Sequence, residues 1–312
     1  MRPTPRPRPL AAAALCVCVA SSASALTVSG YDGSVNERFA SGFEAGAPVA
    51  NTSPSFTLAG YDLSGVGWRT NNNDFAVTLI SPEHFLTAAH VAPPVGANVS
   101  FLGTDGVVRT YTVGTVTTLQ FNGNATDLTL GRLTAVVDTA HITSYGGLFL
   151  GNTSAPYANL PVTVYGANGR IGANTVDVVG TADILPFGHT DPQPVDSVIA
   201  VMDFDAVTGE AQAQGGDSGS PSFVRIAGNQ LALFGIHSAI NAAPPPEQTY
   251  DSLPLLSAYD TINTALVNAG YAGWGYYTGG VVSPSAVPEP SAFAALLGLA
   301  ALGQAASRRR GR

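Results

Sequence analysis

The sequence predicts an all-β protein closed by a single helix, and three observations carry that expectation. The middle of the chain is rich in Gly, Thr, Val, Ser and Asn, its apolar runs are short and separated by turn residues, and one segment carries helical spacing. Phe75 to Ile80, Val107 to Val116, Leu160 to Tyr165 and Thr175 to Val179 each read as strands. There is no repeat of fixed period and no alternation of strands with long amphipathic helices, which argues against a solenoid and against a parallel α/β sheet. The helix is expected where Leu256, Ala258, Ile262, Ala265, Leu266 and Ala269 share a face, with Gly270 as its C-cap.

The two ends of the 312-residue chain read as separate modules. Arg2, Arg6 and Arg8 precede the short apolar run Leu10 to Ala20 and the small residues Ala23-Ser24-Ala25, the order of a secretory signal peptide over residues 1–25. The run is shorter than the roughly 20 residues a membrane-spanning helix needs, so an N-terminal anchor is the weaker reading. At the other end a Gly/Pro/Ser linker, residues 278–287, leads into Pro288-Glu289-Pro290, the apolar stretch Ser291 to Ala306 and Arg308-Arg309-Arg310. Residues 64–277 remain as the main domain, and residues 26–63 as either a short propeptide or the first strand of an N-terminal barrel.

Cys16 and Cys18, the only cysteines, lie in the signal, so no disulfide can staple the mature chain. A domain of this size buries enough surface without one. Between the terminal modules six arginines face 20 Asp and Glu residues, a net charge of −14. Such a surface repels phosphate backbones, which excludes nucleic acid as a partner.

Three segments carry chemistry. Thr87-Ala88-Ala89-His90 follows two short apolar runs, and its small residues let the backbone pack closely beside an imidazole able to act as a base. Asp127 opens the alternation Asp127-Leu128-Thr129-Leu130-Gly131-Arg132-Leu133; a carboxylate at a half-buried strand needs a partner, which a histidine N–H could be. Gly215-Gly216-Asp217-Ser218-Gly219-Ser220-Pro221 places a serine among glycines that can turn the Gly216 and Ser218 amides toward one point, as an oxyanion hole requires. Taken singly, each has a plainer reading: a core histidine, an Asx turn, a polar loop.

In combination and order, TAAH, then D-L-x-L-x-R-L, then GDSGSP, the chain resembles the trypsin/chymotrypsin family of serine endopeptidases over roughly Val66 to Ala269. The resemblance implies two six-stranded antiparallel β-barrels followed by a C-terminal helix. It implies His90 as general base, Asp127 as orienting acid and Ser218 as nucleophile, with Gly216 and Ser218 as oxyanion donors and no cofactor. The order His, Asp, Ser, and Ser220 where G-x-S-x-G needs glycine, disfavour an α/β-hydrolase. The chain departs from the family in having Val91 after TAAH, Ser220 as in the V8-like glutamyl endopeptidases, and no IVGG-like start. The last departure puts in doubt the family's activation by a new N-terminal amine pairing with Asp217.

The resemblance places the substrate pocket at Gln212, His237 and Ser238. With no carboxylate at Gln212, cleavage after Lys or Arg is not expected. Gly235-Ile236-His237 is similar to the V8-like strand whose histidine contacts a substrate glutamate, so His237 is a candidate reader of acidic side chains; a strand histidine beside a neutral pocket is the alternative. Residues 288–312 resemble the PEP-CTERM sorting signal, which implies an exosortase-type partner, transient membrane association through the apolar helix, and export to the cell surface or beyond. Besides a protein or peptide substrate, the rival function is a catalytically silent binding protein of the cell surface or matrix that keeps the protease fold. No metal is expected, because His84, His141 and His189 form no spaced cluster, and His84 reads as a turn residue.

Overall fold

The computed structural model describes residues 26–71, 73–149, 157–183, 196–241, 247–271 and 276–277. The signal peptide, the linker and the tail therefore lie outside the described residues, as does His189. Six strands form a closed antiparallel barrel: β1 (Val66–Arg69), β2 (Asp74–Leu79), β3 (His84–Thr87), β4 (Asn98–Leu102), β5 (Val108–Phe121) and β6 (Asn124–Leu133). Around the barrel they run β1-β2-β3-β6-β5-β4, and β4 pairs back to β1. Every second residue points inward, and Val77, Leu79, Phe85, Val99, Phe101, Val113 and Leu133 fill the interior.

The second lobe is an open sheet. Its path is β8-β7-β11-β12-β13-β10-β9, where β7 is Pro161–Tyr165, β8 Ile171–Thr175, β9 Val178–Asp183, β10 Asp196–Phe204, β11 Pro221–Ile226, β12 Gln230–Asn241 and β13 Glu247–Ser252. Gly147–Phe149 runs parallel beside β12, and Tyr276–Tyr277 runs parallel beside Gly147–Phe149. The architecture agrees with the chymotrypsin-like class, but this lobe is a half-barrel rather than the expected closed barrel of six strands. The predicted strand Thr175 to Val179 is broken between β8 and β9, which do not pair with each other. Instead the Asn174 amide donates to the carbonyls of Asp203 and Ala211, both at 2.9 Å, so one side chain ties β8 to its neighbours where a ladder would have run.

Residues 26–63 add no strand to the closed barrel, contrary to one of the two expectations for them. Thr27–Val28 pairs with Ala211–Gln212 of the second lobe, and Phe39–Ser41 pairs with Val49–Ala50. Between them Arg38, 5% exposed, donates to the carbonyls of Leu63 and Val66 at 2.8 Å and to the Tyr165 hydroxyl at 2.9 Å.

The predicted helix is α1, Pro254–Asn268, with proline in its first turn and Gly270 at φ +85° just beyond its end. Ile262 and Leu266 join Leu128 and Leu130 of the barrel and Phe223, Leu233 and Ile236 of the sheet in one cluster. Each aliphatic side chain buried there contributes about 1.5 to 3 kcal/mol, so the helix closes the seam between the lobes. Among the described residues no helix is long and apolar enough to cross a membrane.

Candidate active site

His90 lies in a short 3-10 turn, Ala89–Val91, that follows β3 directly. Its neighbour Thr87, fully buried, donates from its hydroxyl to the Ala76 carbonyl at 2.9 Å, which fixes the end of the strand. Asp127 is the fourth residue of β6 and 1% exposed. Both of its carboxylate oxygens reach His90 Nδ1, at 3.0 and 2.9 Å, and Oδ1 also accepts the His90 backbone N–H at 3.0 Å. A carboxylate can only accept, so Nδ1 carries the proton of this contact. The ring keeps 11% side-chain exposure.

One contact here was not legible in the sequence. The Asp127 N–H donates to Ser197 Oγ at 3.2 Å, from fully buried Ser197 on β10 of the other lobe. Nothing in the order of residues links positions 70 apart; only the closing of the two lobes on each other does.

The predicted nucleophile loop connects Ala211–Gln212 to β11. Gly216 and Gly219 adopt φ of +106° and +83°, which L side chains rarely reach. The loop's amides divide into three sets. Those of Ala213 and Gln214 donate to the side chains of Thr249 and Asp217, those of Asp217, Gly219 and Ser220 donate to the carbonyls of Gln214, His237 and Asp217, and those of Gly215, Gly216 and Ser218 donate to nothing among the described residues. The last set includes the two amides, Gly216 and Ser218, expected of an oxyanion hole. A Cβ placed on Gly219 would stand 2.4 Å from Thr87 Oγ1 and 3.4 Å from Val91 Cγ2, so the residue after Ser218 is seated against the segment that carries His90. The structure thus joins His90 to Asp127 by hydrogen bonds and brings the serine loop to their side. No hydrogen bond joins Ser218 to His90.

Asp217 is 2% exposed; its Oδ1 accepts the Ala167 N–H at 3.0 Å and its Oδ2 the Gln214 N–H at 2.8 Å. Burial outweighs those two bonds and pushes its pKa up to about 6. The expected pocket residues are all buried. Gln212 is 1% exposed and accepts from Gln214 Nε2 at 3.1 Å, and Ser238 Oγ lies 2.7 Å from Ser252 Oγ. His237 faces Asp251 Oδ1 at 2.5 Å through Nδ1 and the Tyr165 carbonyl at 3.1 Å through Nε2. Both ring nitrogens are engaged inside the protein. His84 is the first residue of β3, 4% exposed, with Nδ1 2.8 Å from Ser81 Oγ, rather than the turn residue expected. Among the described residues no cluster of His, Cys, Asp and Glu could hold a metal ion.

The tail gives the firmest comparison. Residues 286–310 match the PEP-CTERM protein-sorting motif. The motif marks the chain for export and for sorting at the cell surface or beyond it. No curated protein matches the chain. Among solved structures it is similar to the NS6 protease from murine norovirus 1, with 19% identity, 58% of this chain and 88% of that chain covered, and a TM-score of 0.36.

Proposed function

We propose that this chain is a serine endopeptidase that hydrolyses peptide bonds through an acyl-enzyme on Ser218. The observation that carries the reading is the His90 ring, oriented at Nδ1 by a buried Asp127 and free at Nε2, beside a loop whose Gly216 and Ser218 amides are unused. Ser218 Oγ attacks the carbonyl carbon as Nε2 takes its proton, and the oxyanion gathers at the two amides. His90 then returns the proton to the departing amine, and water clears the acyl group. Each oxyanion donor is worth roughly 3 to 4 kcal/mol of transition-state stabilisation in comparable sites. A fluorophosphonate probe tests this: the processed protein should be labelled on Ser218, and an unlabelled wild-type protein would refute an enzyme and favour a binding protein.

The site favours uncharged side chains at the cleavage position. Gln212 and His237 are buried and internally bonded, and among the described residues they offer no free charge to Lys, Arg, Glu or Asp. In a peptide library cuts should follow apolar or small residues; a clear excess after Glu would restore His237 as a reader of acidic groups.

The reading extends to maturation. A Cβ placed on Gly166 would stand 2.9 Å from both Asp217 Oδ1 and Leu26 Cβ, so fully buried Leu26 and that carboxylate flank the same glycine. Signal cleavage after Ala25 would create a new amine at Leu26 in the neighbourhood of Asp217, a route to activation at export without an IVGG-like start. The sign of the pH effect follows from the raised pKa of about 6. With residues 1–25 attached, the native state holds a proton on Asp217 that the unfolded chain has lost, so stability falls as pH rises from about 4 to about 6. A new ammonium should return the pKa downward and flatten that slope. Unfolding curves of the precursor and of the chain beginning at Leu26, taken across this window, should differ in this way; identical slopes would separate Leu26 from Asp217.

A further inference from the structure

We propose that His237 is a buried imidazolium that positions the nucleophile loop. The proposal rests on the endopeptidase reading for its kinetic consequence, and its charge rests on the ring's hydrogen bonds together with the charged groups around it. His237 is 2% exposed and stands on β12, beside the loop that carries Ser218. Its main chain grips that loop on both sides: the Gly219 N–H donates to the His237 carbonyl at 2.9 Å, and the His237 N–H donates to the Ser220 carbonyl at 2.8 Å. The two residues after the nucleophile are therefore fixed by one strand residue, and the Ser218 amide enters the oxyanion position from that frame.

The side chain fixes the strand residue in turn. Nδ1 meets Asp251 Oδ1 on β13 at 2.5 Å, and Nε2 meets the Tyr165 carbonyl on β7 at 3.1 Å. A carbonyl can only accept, so Nε2 is protonated. With Asp251 ionised, Nδ1 is protonated as well and the ring carries a positive charge; the alternative is a neutral ring accepting a proton from Asp251.

The surroundings decide between the two. Asp251 and Asp217 are the charged groups that face the ring from β13 and from the nucleophile loop; on the β7 side the Tyr165 carbonyl faces it, while the Tyr165 hydroxyl is taken by Arg38. Burial alone would discharge the ring. The attraction and hydrogen bond of Asp251, joined by Asp217 and the Tyr165 carbonyl, outweigh it, so the net direction of the pKa is upward. Asp251 itself is fully buried, and its Oδ2 has no hydrogen-bond partner among the described residues. A lone carboxylate there would be costly, and the cation on Nδ1 compensates it. His237 thus stitches three strands and the nucleophile loop together, and acts through Ser218 and Gly219 rather than on substrate.

Nitrogen-15 NMR of the ring in Ser218→Ala protein tests the charge, with His237→Gln supplying the assignment. Both His237 nitrogens should read as protonated at pH 7, and in Asp251→Asn one should lose its proton. A wild-type ring with one bare nitrogen at pH 7 overturns the proposal. Positioning is tested in the same samples, because Asp251→Asn should speed hydrogen exchange at the Gly219 amide; unchanged exchange overturns that part. In the Ser218-containing enzyme Asp251→Asn should lower kcat roughly 10- to 100-fold, with KM and the preferred cleavage residue unchanged. A changed residue preference at unchanged kcat would assign His237 to substrate. If wild-type protein neither hydrolyses peptides nor takes the probe, the endopeptidase reading fails, while the ring charge and amide exchange still report on the network.

Discussion

Ser218→Ala should lower kcat by about 10⁶-fold, on the scale seen when a serine protease loses its nucleophile, while leaving KM and the thermal midpoint nearly unchanged. Ser218 is only part-buried and makes no side-chain hydrogen bond among the described residues, so deleting its oxygen removes chemistry without opening a core or orphaning a polar group. A remnant roughly 10³ to 10⁴ above the uncatalysed rate should persist, because the Gly216 and Ser218 amides remain in place. Steady-state kinetics on a peptide substrate, paired with thermal unfolding, checks the split. Full activity in the variant would mean that a different residue carries the acyl group.

Asp127→Asn should cost about 10⁴-fold in kcat, by a different route. The carboxylate accepts at both oxygens from His90 Nδ1 and also from the His90 backbone N–H. An asparagine keeps the volume but presents an NH₂ donor to the ring. The imidazole then turns its lone pair to Nδ1 and its proton to Nε2, where it can no longer accept from Ser218. The loss should fall in kcat and kcat/KM together. Raising pH should recover little, since the fault lies in the tautomer rather than in the amount of neutral histidine. A decrease below tenfold would show that Asp127 holds the backbone of the His90 turn more than it holds the ring.

How far the sequence alone reaches is seen by comparing Asp127 with Ser197. Asp127 announces itself because a carboxylate heads an apolar alternation, and one-dimensional pattern is enough to flag a polar group in a buried strand. Ser197 is equally buried and touches the same residue, yet a serine in an apolar strand carries no signal of its partner. His237 shows the same limit. The letters Gly-Ile-His invite a substrate role, but only the strand register that brings Asp251 opposite His237 reveals a ring engaged on both sides. The open second lobe was hidden for a related reason. Thr175 to Val179 is apolar enough for one strand, and the interruption follows from where Asn174 finds its acceptors, which is a fact of tertiary structure.

Arg38 bears on how this chain can be shortened. A chain that began at Ser64 would lack a guanidinium on which oxygens from both lobes converge, leaving the Val66 carbonyl and the Tyr165 hydroxyl facing a void. It would also uncover the Ala211–Gln212 strand where Thr27–Val28 now lies. Residues 26–63 are thus a strap tied to both lobes, through Arg38 to the Val66 carbonyl and the Tyr165 hydroxyl and through Thr27–Val28 to Ala211–Gln212.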